Sequence, residues 1–395
     1  MAILAVNAGS STLKFSLHPR HGDAVRASVL SGNIQGLEPN GTPEMGWTFN
    51  GVSRQQPLEA GKGSPFARAL EALRTLLASE PGVPAIEAVA HRVVHGAADF
   101  RASVIVTDAV LARLTQFNSL APLHQPHNLE GVRAFRLAFP ELPQIACFDT
   151  AYHSTLEEVD YAFALPQALA DQGVRRYGFH GLSYQFIMDS LKETSQRALG
   201  RVLMAHLGNG ASLCAAQAGK SRATTMGFSA LDGLMMGTRT GNLDPGVLLY
   251  LLEQGWDHAR LQTLLYKQSG LLGVSGISAD MRRLRADGSD VAKKAIAMFT
   301  HRVVRESGAM TACLGGLDVL AFSGGIGEHD AVLRAEVCAS LAYLGVQIDP
   351  ALNQIAVGNE TLAVHAPGSA VEVWVVPTDE GRVAARDAAR LTASA

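Results

Sequence analysis

No unbroken apolar run in this chain approaches the ~20 residues that a membrane-spanning helix needs. Excess charge is missing too. Lys and Arg number 33 against 36 Asp and Glu, a formal net charge of −3, so bulk electrostatics favours neither nucleic acid nor an acidic membrane surface. Any anion must be held by a local site. Cysteine is scarce: Cys147, Cys214, Cys313 and Cys338 form no C-x-x-C pair. All four sit among apolar or small neighbours, which reads as buried reduced thiols. The start, Met1 to Asn7, lacks a basic stretch followed by a long apolar run, so it reads as a first strand rather than a signal peptide. A cytoplasmic protein is expected.

Several familiar chemistries are missing as well. Ala218-Gly219-Lys220-Ser221 ends like a P-loop, but Cys214 stands where the first glycine is required. There is no Gly-x-Ser-x-Gly elbow. His91 and His95 are four apart, but the intervening Arg-Val-Val is strand-like, which argues against a metal pair on a helix. His124 and His127 flank Pro126, which is expected to break helical register between them. Ser323-Gly324-Gly325-Ile326-Gly327-Glu328 lacks the third glycine of a dinucleotide fingerprint, since Asp330 stands there.

What is present is a soluble globular composition, 395 residues and 47% hydrophobic, enough for two domains. Ala2–Val6 and Leu13–Leu17 read as strands around Asn7-Ala8-Gly9-Ser10-Ser11-Thr12, a turn of one glycine and three hydroxyls. The arrangement recurs at Val202–Ala216, where a strand meets Gly208-Asn209-Gly210. Each occurrence opens one half of the chain, which reads as duplication of one α/β unit with ligand between the halves. Glycine turns let backbone N–H groups approach a phosphate, and Arg239 in the following glycine-rich loop offers a forked cation. A plain hairpin remains the competing reading for both turns.

Other charged residues stand at strand ends. Arg92 ends Ile86–Val94, and Asp149 follows the apolar run Gln144–Phe148. Such positions often face a ligand crevice in α/β sheets; capping of the next helix is the alternative for Asp149. His180 lies between glycines in Tyr177–Gly181. A glycine turn follows the strand Asp318–Phe322, with a helix expected from Ala331. Helices are also expected from Asn128 to Phe139 and after Ser289, the latter with Val291, Ala295, Phe299 and Val303 on its core face.

Taken together and in order, these stretches resemble the acetate kinase family. Asn7–Phe15, His91–Gly96, Phe148–Ala151, Tyr177–Gly181, His206–Gly210, Met236–Arg239, Ser323–Glu328 and Pro377–Glu380 carry the resemblance across nearly the whole chain. It implies an α/β fold of two duplicated actin-like (ribonuclease H-like) domains, with ATP and substrate in the cleft between them. The expected domains are 1–150, with the helix 382–395 packing back on it, and 151–381. The implied activity is ATP-dependent, reversible phosphorylation of acetate to acetyl phosphate, with Mg²⁺ or alternatively Mn²⁺, by a homodimer with no nucleic-acid or membrane partner. A propionate or butyrate kinase is the alternative on the same scaffold; a nucleotide-switched binding protein is a more distant one.

The resemblance also implies residue roles. Asp149, His180 and Arg239 would be catalytic, and Arg92 would bind the acetate carboxylate. Val94, Leu123, Phe179 and Ala230 would surround its methyl group, with His124 as a further active-site histidine. ATP would meet Lys14, His206, Leu207, Gly208, Asn209, Gly210, Asp280, Met281, Arg282, Gly325, Ile326, Gly327, Glu328 and His329. Asn7 and Glu380 would be the metal-associated positions. Departures from the family pattern are Thr12 for serine, Leu182 and Tyr184 after His180, and His329 for asparagine. Ala230 stands for proline, which suggests room for one more methylene. Gly381 stands for a second glutamate, which suggests weaker Mg²⁺ binding.

Overall fold

The computed structural model describes residues 1–22, 24–38, 41–58 and 63–393. Its contacts divide the chain into two compact units: Met1–Ala151 with Asp379–Ala395, and Tyr152–Thr378.

In the first unit the described strands are β1 (Ala2–Ala8), β2 (Thr12–His21), β3 (Ala24–Val25), β4 (Leu30–Gln35), β5 (Glu44–Phe49), β6 (Val52–Pro57), β7 (Ile86–Val93), β8 (Val104–Ile105) and β9 (Gln144–Phe148). They form one sheet in the order β6-β5-β4-β2-β1-β7-β9-β8, with β3 paired to β2. The strands from β6 to β1 are antiparallel, whereas β1, β7 and β9 run parallel. That explains the nearly continuous apolar runs of β1, β7 and β9, since parallel strands are covered on both faces. Ala2, Leu4, Val6 and Ala8 share a core with Leu70, Leu73 and Leu76 of the helix Pro65–Ser79. The helix Glu380–Ala393 packs on β1, β2 and β7 with a face of small residues, among them Ala384, Ala385, Ala388 and Ala389.

The second unit's sheet contains β10 (Arg201–Leu207), β11 (Ala211–Gln217), β12 (Lys220–Thr224), β13 (Val319–Ser323), β14 (Leu362–Ala363) and β15 (Glu372–Val375), ordered β12-β11-β10-β13-β15-β14. The cores of the two sheets match. Three antiparallel strands, β4-β2-β1 or β12-β11-β10, continue into two parallel ones, β7-β9 or β13-β15. The repeated strand–turn–strand in the sequence is therefore the first hairpin of each unit.

Four local expectations change. Pro126 does not break a helix; it sits in the first turn of Gln125–Ala138, where its missing N–H would be unpaired anyway. The Gly324–His329 run is itself a short helix rather than a turn, followed by Ala331–Ser340. In the helix Asp290–Leu314, capped by Ser289, the core face uses Ala292, Ala295, Ile296, Phe299 and Val303, while Val291 is exposed. Cys313, on that helix, is exposed rather than buried.

One buried charge holds the end of the Gly324–His329 helix. Arg334 is fully buried. Its guanidinium donates to the carbonyls of Gly327 (2.9 Å), Glu328 (2.8 Å), Asn353 (2.7 Å) and Ala356 (2.9 Å), and to Asn353 Oδ1 (2.8 Å). These five acceptors match the five donors of an arginine. Arg334→Met is expected to leave them unpaired and to cost about 3–5 kcal/mol. Urea denaturation checks this; a midpoint unchanged from the parent protein would contradict it.

Candidate active site

The first unit gathers carboxylates around one arginine at the end of its parallel strands. Arg92 on β7 forks onto Asp149, just past β9, through Nε to Oδ1 at 2.8 Å and Nη2 to Oδ2 at 2.6 Å. Two parallel charge-assisted bonds fix the guanidinium plane as well as its position. Glu380, the first residue of the last helix, brings Oε2 within 3.4 Å of Arg92 Nε. Burial works against the Arg92 charge, but the two carboxylates outweigh it and raise the pKa further. Asp149 is buried, yet the Arg92 side chain keeps 26% of its exposure. Asp149 is thus bound into an ion pair whose arginine remains partly open to solvent.

Asn7 and Lys14 are direct cross-strand partners in the β1–β2 hairpin. Asn128 ties this hairpin to β7: its Nδ2 donates to Ala8 O at 2.6 Å and its Oδ1 accepts from Val94 N at 3.0 Å. Gln125 does the same for the next residue, exchanging bonds with His95 N (3.2 Å) and O (3.0 Å). Leu123 and His124 immediately precede this helix, and His124 occupies its N-cap. His91 and His95 are core residues, both pushed down to about 4 by burial, as buried imidazoles are. Among the described residues no group of three potential ligands could hold a metal by itself.

Gly381 proves to be a matter of space. A Cβ there would stand 2.4 Å from Ser16 Oγ and 3.1 Å from His18 Nε2, and these two side chains are bonded to each other at 2.9 Å. A side chain here would have to displace Ser16 Oγ, so Gly381 lets the last helix pack against the Ser16–His18 pair.

The second unit brings an arginine and a histidine to one glycine turn. His206 and Leu207 end β10, Gly208-Asn209-Gly210 turns, and Ala211 begins β11, a hairpin whose tip is the candidate anion turn. A Cβ on Gly210 would lie 3.2 Å from Arg239 Nη2 and 3.3 Å from His180 Nε2. The absent side chain thus keeps open the space beside a guanidinium and an imidazole. Arg239 is aimed by Nη1 donating to Ala230 O at 2.7 Å, and its loop is tied to the turn by Gly237 N donating to Asn209 O at 3.0 Å. His180 has φ 59°, a left-handed backbone uncommon outside glycine, and caps the helix Gly181–Thr194. Phe179 beside it is buried and its carbonyl accepts from His153 Nε2 at 2.9 Å.

The expected nucleotide segments are more structural in their side chains than the sequence suggests. Asp280 caps the helix Met281–Asp287 and pairs with Arg282 at 2.7 Å, which holds its carboxyl down at about 2. The Met281 side chain is core, as is that of Leu207. Glu328 turns inward: its Oε1 accepts from Gly324 N at 2.8 Å and Thr378 N at 3.1 Å. Gly325, Ile326, Gly327 and His329 lie on the same short helix. Arg285 links the two segments by an ion pair to Asp330 at 2.6 Å. Sequence reading missed Asn128, Gln125, Ser212, Tyr184 and Arg285 as supports. Asn128 had one visible signal, a polar side chain opening an expected helix; Gln125 lay ahead of that helix and had none.

The comparisons with known proteins identify the family. The family model described as Acetokinase family matches residues 2–386. A curated acetate kinase of Rhodopseudomonas palustris is 48% identical over 393 residues, covering 98% of each chain. Among solved structures, a propionate kinase from Francisella tularensis superposes with a TM-score of 0.89 at 35% identity over 98% of each chain. Porphyromonas gingivalis acetate kinase gives 0.88 at 34% identity over 99% of each. With full-length coverage, matching motifs and two sheets of the same actin-like topology, the chain belongs to the acetokinase family.

Proposed function

We propose that the protein phosphorylates acetate reversibly at the expense of ATP by direct in-line transfer to the carboxylate. The observation that carries this is the Arg92–Asp149–Glu380 cluster, a cation fixed by two acids yet still accessible. Arg92 binds the acetate carboxylate, and Asp149 holds its guanidinium plane. A carboxylate is already ionised at pH 7, so no general base has to activate it. Arg239 and His180 stabilise the phosphoryl oxygens during transfer, where charge redistributes. The Gly208-Asn209-Gly210 amides bind the nucleotide phosphates, with Lys14 adding positive charge. Mg²⁺ fits this donor set, because it commonly takes one or two carboxylates together with substrate phosphates and water; Glu380 and Asn7 would hold it. Bound there, it would neutralise phosphate charge. Trapping the product with hydroxylamine, in the presence of ATP, Mg²⁺ and a series of carboxylates, tests the reading. Hydroxamate from acetate is expected, and none from any carboxylate would refute it.

Acyl range follows from the wall around the methyl group, for which Val94, Leu123, Phe179 and Ala230 are proposed. One added methylene is worth about 1–3 kcal/mol in such a pocket. Propionate is therefore expected to be turned over with an efficiency within about 200-fold of acetate. Relative kcat/KM across short carboxylates measures this, and a larger discrimination would contradict an open wall at Ala230. The Francisella tularensis neighbour is titled a propionate kinase, which supports keeping this range wide.

A homodimer is proposed on a separate observation. The helix Pro245–Glu253 buries none of its side chains, leaving Val247, Leu249, Tyr250 and Leu252 exposed. A helix exposed and apolar nearly all round suits a second copy of the same chain. Leu249→Glu is expected to shift the sedimenting species from dimer to monomer; an unchanged mass would place the contact elsewhere.

A further inference from the structure

The rings of His180 and His206 are stacked, with centroids 4.2 Å apart and planes 29° from parallel. Each places its Nδ1 on a serine hydroxyl. His180 Nδ1 is 2.8 Å from Ser212 Oγ, and His206 Nδ1 is 2.7 Å from Ser183 Oγ. Each serine in turn meets a second hydroxyl. Tyr184 OH lies 2.5 Å from Ser212 Oγ, and Thr378 Oγ1 donates to Ser183 Oγ over 3.1 Å. Tyr184, Ser212 and Ser183 are all fully buried.

Counting protons fixes the direction of these chains. A buried hydroxyl proton without an acceptor is costly. Tyr184 OH has Ser212 Oγ as its hydrogen-bond partner, so Tyr184 donates and Ser212 passes its own proton to His180 Nδ1. Nδ1 then carries no hydrogen, and the ring's proton is on Nε2. The second chain runs the same way, from Thr378 through Ser183 to His206 Nδ1. Protonating His180 at Nδ1 would reverse Ser212 and strand a buried hydroxyl proton; protonating His206 there would set Ser183 against the Thr378 donor. Charging both rings would stack two cations at contact distance.

We propose that Ser212 with Tyr184, and Ser183 with Thr378, are positioning residues that hold the two stacked imidazoles neutral with the proton on Nε2. His180 Nε2 borders the space opened by Gly210, alongside Arg239 Nη2. The relay therefore gives that space an uncharged N–H donor next to a permanent cation. Tyr184, a departure from the family pattern, acquires a role: it polarises Ser212 toward His180. The functional side of this inference rests on the phosphoryl-transfer reading above.

Histidine-selective ¹⁵N labelling of the whole protein tests it, with His180→Gln and His206→Gln used only to assign signals. At pH 7 both rings are expected to show a bare Nδ1 and a protonated Nε2. Ser212→Ala is expected to move the His180 signals toward a tautomer mixture while leaving those of His206 in place. It should lower kcat about tenfold, the worth of one transition-state hydrogen bond, with KM for acetate and ATP held within about twofold. Tyr184→Phe keeps the Ser212–His180 bond and should cause a smaller shift in the same direction. Being close in volume, it keeps the test readable if Ser212→Ala does not fold. An imidazolium or an Nδ1-protonated ring in the parent protein would overturn the proposal, as would Ser212→Ala signals identical to the parent's. Expected tautomers together with no acyl phosphate formation would instead bring down the phosphoryl-transfer reading.

Discussion

Replacing Arg92 by alanine is expected to lower kcat/KM for acetate by about 10²–10³-fold, since a buried, hydrogen-bonded charge pair loses roughly 2–5 kcal/mol when one partner is cut away. Most of the loss should appear in the KM for acetate, with the KM for ATP nearly unchanged. The reason is the fork: Nε and Nη2 already engage Asp149, which orients the remaining guanidinium edge for a second carboxylate. Arg92→Lys keeps the charge but cannot reproduce that geometry, so it should recover only part of the activity. Asp149, buried beneath the arginine, would lose its partner in Arg92→Ala and lower stability as well. Denaturation of each variant separates the two effects. Steady-state kinetics with acetate varied at saturating ATP reads the first directly. A rise in the KM for ATP alone would place Arg92 on the nucleotide instead.

Arg239→Ala should be the more severe loss in turnover, about 10³–10⁵ in kcat, the range for removing an arginine from a phosphoryl group in transfer. Its side chain is held by Ala230 O and borders the space left by Gly210, which aims the guanidinium at that space. An interaction made mainly in the transition state lowers kcat while leaving both KM values close to the parent's. Arg239→Lys should stay poor, because a point charge does not match two phosphoryl oxygens at once. Added guanidinium ion should restore part of the activity of Arg239→Ala and little of that of Arg239→Lys, where the lysine stem fills the space. A variant with normal kcat and a raised KM for ATP would reduce Arg239 to a ground-state contact.

Much of this arrangement was legible because strand ends are local signals. Gln144–Phe148 is apolar throughout and stops at an acid, and β9 has those same bounds. Arg92 stands out for the same reason. The doubled hairpin could be read because a glycine turn between apolar runs needs no distant information. The supports were illegible because their partners are remote in sequence. Asn128 bridges Ala8 and Val94, Tyr184 reaches Ser212, and Arg334 gathers carbonyls from two separate segments. Gly381 shows the same limit from the other side. Read alone it suggests only a missing carboxylate; the structure adds the Ser16–His18 pair packed against it. Pro126 was misjudged because a proline in a helix's first turn and one that breaks a helix look alike until the start of the helix is known.

The central claim is that the γ-phosphoryl group of ATP ends on a carboxylate oxygen of acetate. Incubating the protein with ATP, Mg²⁺ and ¹⁸O-labelled acetate, and following the product by ³¹P NMR, tests it most directly. The account predicts acetyl phosphate carrying ¹⁸O in the bridge between carbon and phosphorus, formed in step with ADP. Steady release of inorganic phosphate with no labelled acyl phosphate would contradict it.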